Sequence, residues 1–154
     1  MKLKKKIGFV LLIGFVAIQF IQPAHNKTDK VLPTDITNTV VVPNQVLNIL
    51  QNSCYDCHSN NTRYPWYSFI QPGAWLMASH IRRGKAMLNF NQFGDLSNRK
   101  QQSKLQGIVN QIKDNEMPLS SFTLLHKNAI LTAEQKAILI NWATSAKDSL
   151  SLKN

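Results

Sequence analysis

The sequence is more easily read from what it lacks. There is no glycine-rich phosphate loop, no nucleophile–base arrangement and no pair of carboxylates at a credible spacing, so nucleotide binding and the common hydrolytic chemistries have no support. Basic residues outnumber acidic ones, 18 to 8. They form no stripe interleaved with aromatics, which leaves no footprint for nucleic acid. No apolar run reaches the ~20 residues of a full membrane span. No strand-like alternation continues beyond the short Thr39 to Val42 run, and no internal repeat is visible, so the chain reads as all-α. Cysteine is scarce, with only 2 in 154 residues, which rules out a disulfide scaffold.

What is present begins with an address. Lys2, Lys4, Lys5 and Lys6 precede an apolar run from Ile7 to Ile21. This is the order of a secretory signal. A clean small-x-small cleavage site is missing, because Gln22 stands two residues before Ala24, and an uncleaved anchor is the favoured reading. The basic end would stay in the cytoplasm and the rest would be exported. The expected division is a signal peptide or signal anchor over 1–24, a polar linker over 25–42 and one domain over 43–150. Beyond the leader the net charge is +6, which suits an acidic partner protein, an anionic membrane surface or an acidic cofactor.

Within the domain, Pro43 opens a helix carrying Val46, Ile49 and Leu50, which should end near Cys54. Residues 59–71 read as irregular. A helix is expected from Pro72 to about Leu88, another from Asn98 to Asn115 with Ser97 as its cap, and a last one opened by a Thr132–Gln135 capping box.

The chemistry lies in Cys54-Tyr55-Asp56-Cys57-His58. C-x-x-C-H is the attachment site of c-type haem. Two thiols one helical turn apart reach the two vinyl groups on one porphyrin edge, and the His that follows offers a nitrogen to the iron. A thioredoxin-like pair expects a βαβ context, and zinc needs a second ligand pair; neither is visible. A structural disulfide would close only a small loop. For the opposite side of the iron, Met117 is the first choice. It sits in a polar stretch rather than on an apolar helix face, and Pro118 stiffens its loop. His80 and His126 are the rivals. Arg82 and Arg83 are candidates for the haem propionates, and Tyr64, Trp66, Tyr67 and Trp75 for the pocket wall. His25 falls in the linker and carries no expected role.

The run Cys54 to Phe93, with NNTRYPWYS beside the motif, resembles the haem-binding domain family of small exported bacterial proteins, as does the stretch from Met117-Pro118 to Trp142. The resemblance implies a haem cofactor and an exported location. The layout is also similar to a cytochrome c domain, where the first and last helices pack together. Here that would set Val46 and Leu50 against Ile138 and Trp142. Two functions follow as expectations. One is periplasmic electron transfer to a redox partner through a haem ligated by His58 and Met117. The other is a sensor or peroxidase-like enzyme with an open sixth position and His80 or Arg82 beside it.

Overall fold

The computed structural model describes residues 3–28, 30 and 32–152; Lys2, part of the basic start, lies outside them. Among the described residues there is no strand, only an isolated bridge between Lys27 and Asn61. Helix α1 spans Leu3–Ile18, carries Lys4 to Lys6 in its first turn, is apolar all round from Ile7 onward and buries none of its residues. At 16 residues it is about 24 Å long. No helix among the described residues is both long and apolar enough to cross a membrane.

The stretch expected as a linker is packed into the domain instead. Asp35 caps a short helix, α2 (Ile36–Thr39), by accepting from the Thr37 N–H. Its other carboxylate oxygen accepts from Asn91 Nδ2 at 2.6 Å. Ile36 and Val40 are buried in the main core. Two apolar residues among Asn, Thr and Asp were too few to reveal a buried turn by periodicity.

Helix α3 covers Asn44–Ser53, and the single turn α4 covers Tyr55–His58. A 3-10 turn at Trp66–Phe69 precedes α5 (Gly73–Met87), and a second, Phe90–Asp95, precedes α6 (Asn98–Lys113). Then come the short α7 (Ser120–Thr123), a 3-10 turn at Lys127–Ala129, and α8 (Ala133–Ser151). The Thr132–Gln135 capping box is formed. Ser97 stands at the N-cap of α6 without a side-chain cap bond.

Helices α6 and α8 run antiparallel. Asn98 at the start of α6 donates to the Leu150 carbonyl, and Asn115 beyond its end accepts from Lys136. Leu105, Val109 and Ile112 meet Leu139, Trp142 and Ala143 in one core with Val46, Ile49 and Leu50. Each fully buried aliphatic side chain contributes about 1.5–3 kcal/mol. Helix α3 touches α8 as the layout implied. Val46, Leu50 and Trp142 lie in the core, with Ile138 at its margin. The Trp142 indole N–H donates to the Val41 carbonyl at 2.9 Å, which ties the entry of α3 to α8.

Candidate functional site

The end of α3 leads directly into the C-x-x-C-H turn. The Cys54 N–H donates to Leu50, closing α3, and the Cys54 carbonyl then accepts from Cys57 and His58. One turn of helix thus brings the two thiols to the same side. Asp56 holds the turn from beneath. Its buried carboxylate accepts from the Arg63 backbone N–H at 3.0 Å and from the guanidinium at both oxygens. Thr62 Oγ1 donates to the Asp56 carbonyl. The irregular segment after the motif is therefore folded back onto it. Neither Asp56 nor Arg63 was singled out from sequence, because no spacing rule links residues seven apart across a loop.

His58 Nδ1 lies 3.0 Å from the Leu88 carbonyl. A carbonyl only accepts, so this bond puts the proton on Nδ1 and leaves the Nε2 lone pair free for a metal. Burial holds the His58 pKa below its ordinary value, against the opposing pull of the Leu88 and Gly84 carbonyls. The imidazole is thus kept in its neutral, ligating form. Burial, with a smaller contribution from Cys57, pushes the Cys54 thiol up to about 12. Burial and then Asp56 push Cys57 up to about 11. Both cysteines are free and stay protonated at neutral pH, the opposite of a reactive dithiol.

Helix α5 lies tight against this turn. A Cβ on Gly84 would sit 2.6 Å from the Cys57 carbonyl oxygen, so only glycine permits the approach. From Gly84 a stripe at helical spacing, His80, Arg83 and Met87, faces a cavity of about 320 Å³ that Cys54, Cys57 and His58 also line. Met117, Pro118, Leu119 and Phe122 line it as well.

Met117 reaches the cavity through the way α6 ends. Asn115 takes a left-handed conformation at φ 58°. The Asn115 N–H returns to Ile112, and those of Glu116 and Met117 return to Gln111. This is a Schellman-type stop, which reverses the chain at once. His126 is occupied elsewhere. It hydrogen-bonds the Tyr67 hydroxyl and stacks on Phe122 with centroids 4.1 Å apart.

The cavity therefore gathers Cys54, Cys57, His58, Met117 and His80. Tyr64, Trp66, Trp75 and Arg82 do not line it. The Tyr64 hydroxyl accepts from the Asn26 N–H, and its ring stacks on His25, giving His25 a packing role. Trp66 is 76% exposed, and Trp75 turns its indole N–H to the Ile21 carbonyl. Both arginines are exposed, but Arg83 lines the cavity and Arg82 does not. Arg83 lies three residues from His80 on one helix face, and Arg82 is turned about 100° away. That His80–Arg83–Gly84–Met87 stripe was the available signal in the sequence.

Among the described residues no three His, Cys, Asp or Glu side chains gather to hold a metal ion. Zinc lacks its ligand set here. An imidazole and a thioether on one cavity are donors of the kinds that can hold a haem iron. A small all-helical domain with a neutral His, two protonated thiols and a thioether on one cavity is the kind that binds haem. Residues 13–145 match the model of a family described as a haem-binding domain, and the chain belongs to that family. No curated protein and no solved structure matches it.

Proposed function

We propose that the domain carries one c-type haem, joined covalently through Cys54 and Cys57 and ligated by His58 Nε2, and that it transfers electrons outside the cytoplasm. The observation that carries this reading is the His58–Leu88 hydrogen bond within a C-x-x-C-H turn that lines the cavity. It prepares Nε2 as a donor beside two thiols. Joining each thiol to a haem vinyl group would be a net addition of S–H across the double bond, sulfur to one carbon and hydrogen to the other, with no oxidant needed. When bound, the haem supplies an iron that alternates between two oxidation states.

Met117, which lines the same cavity, would be the second protein donor to the iron in this reading. A thioether favours reduced iron, and the tight stop of α6 limits the sulfur's freedom to leave. Of the two arginines expected at the acidic propionates, Arg83 is the one that would meet them in this reading. The contact between α3 and α8 accords with a cytochrome c-like layout. Lys4 to Lys6 in the first turn of α1, followed by its apolar remainder, support export, with α1 as the membrane anchor. The mildly basic domain suits an acidic redox partner.

The test is spectral. Wild type and Met117→Ala, co-expressed with a cytochrome maturation system, are compared after acid-acetone extraction, in alkaline pyridine, and as native oxidised and carbon monoxide-treated reduced protein. The expected outcome is haem that survives extraction, a weak sulfur-to-iron band lost in Met117→Ala, and wild type that resists carbon monoxide. Extractable haem would overturn covalent attachment. A second reading, a sensor or peroxidase-like enzyme, is favoured by His80 and Arg83 on the same cavity. Immediate carbon monoxide binding by wild type would select it.

A further inference from the structure

The end of α1 is not separated from the haem-binding domain by a free tether. Gln19 Oε1 accepts from the Gln71 N–H at 2.9 Å, and Gln71 Nε2 donates to the Ile21 carbonyl at 2.7 Å. Trp75 Nε1 donates to that same carbonyl, and Gln22 reaches the Phe69 carbonyl. Within four residues of its end, α1 is fastened to the segment 69–75. Around this junction lie large exposed apolar side chains. Phe20 and Ile21 continue α1, Trp75 bonds the Ile21 carbonyl, and Trp66, Ile70 and Leu76 are exposed on the same turn and helix as the fastening segment or next to it. The 3-10 turn bearing Trp66 packs against α5, which carries Trp75 and Leu76.

The geometry points to this aromatic face as a docking surface for the phospholipid bilayer, seated in the interface of the leaflet where α1 emerges. The inference rests on α1 being retained as the anchor. Its 16 residues cover about 24 Å, short of the about 30 Å of a hydrocarbon core. A short anchor joined without slack draws the attached face into the interface instead of letting the domain stand off. Tryptophans with an apolar body and a polar N–H suit that depth. An exposed apolar patch continuous with an apolar helix is thereby covered. Because residues 19–22 are bonded to the segment 69–75, the cavity would then be held at a set orientation to the membrane.

The experiment uses the full haem-loaded chain in phosphatidylethanolamine–phosphatidylglycerol vesicles, with plain or brominated acyl chains. Flotation reports anchoring, and tryptophan emission in brominated relative to plain vesicles reports depth. Wild-type emission is expected to fall by up to roughly two thirds, the share of the three tryptophans on this face. The Trp66→Phe/Trp75→Phe variant, left with the buried Trp142, should float and show no such fall. Protein that floats with unchanged wild-type emission would overturn the docked face and leave the anchor standing. Protein that does not float would overturn the anchor, and this inference with it.

Discussion

In the half of the domain built from α3, α6 and α8, the buried side chains are almost all apolar. Leu50, Leu105, Leu139 and Ala143 are essentially inaccessible, and Gln101 is the buried polar residue of α6. In the half built from residues 55–88 and 117–130 the balance is reversed. Asp56, Ser59, Thr62, Ser68 and Gln71 are buried there, while Met87, Leu124 and Leu125 are exposed. The first half closes on itself by the hydrophobic effect. The second is laced together by hydrogen bonds that satisfy each buried polar group, and it surrounds a cavity where an apolar core would otherwise lie. A small domain with half a core needs a cofactor to complete it. Haem binding here is therefore part of the packing as well as the function.

Substitutions on the two sides should separate these roles. The largest expected effect on stability is at Leu139, which is fully buried; Leu139→Ala should cost about 2–5 kcal/mol. Denaturant titration checks this, and the haem spectrum should be unchanged at low denaturant. Gly84→Ala should cost less, about 1–3 kcal/mol, by forcing α5 off the Cys57 carbonyl. Its main effect should be on the cofactor, read as a drop in attached haem per polypeptide. If Gly84→Ala loads normally, the close approach of α5 is not what shapes the cavity.

Asp56→Asn tests the polar lacing. Arg63 is 62% exposed, so the ion pair itself counts for little. The buried carboxylate's bonds to the Arg63 backbone and guanidinium matter more, and their weakening should cost about 1–2 kcal/mol. The smallest effect is a pH dependence of the haem-free protein. Burial lowers the folded pKa of His58 from 6.5, so the unfolded chain takes up that proton first. The stability His58 contributes is present above pH 6.5 and is lost as pH falls through that value towards the lower folded one. Denaturation midpoints measured across this range should show the slope, and His58→Gln should flatten it.

Several elements were legible because their causes are local. The apolar stripes of α3 and α6 and the Thr132–Gln135 box rest on contacts within one or two turns, and the structure forms them where the pattern put them. The segment 25–42 was not legible. Its polar composition hides Ile36 and Val40, whose burial depends on partners such as Phe90 and Phe93 far along the chain. The aromatic residues misled for a related reason. Trp66 and Trp75 have the composition of a pocket wall, but a side chain's composition does not say which way its turn faces. Here Trp75 turns to the Ile21 carbonyl beyond α1, and Trp66 is left exposed.

The sequence by itself determined the all-α class and the C-x-x-C-H turn that pointed to haem, because two thiols and an imidazole on a single turn need no distant partner to be recognised. Tertiary structure alone decided the rest of the site. The Leu88 carbonyl sets the His58 tautomer, Gly84 lets α5 close in, the reversal at Asn115 delivers Met117, and the phase of α5 puts Arg83 rather than Arg82 on the cavity. Each of these depends on where separate segments meet in space, and no local pattern records that.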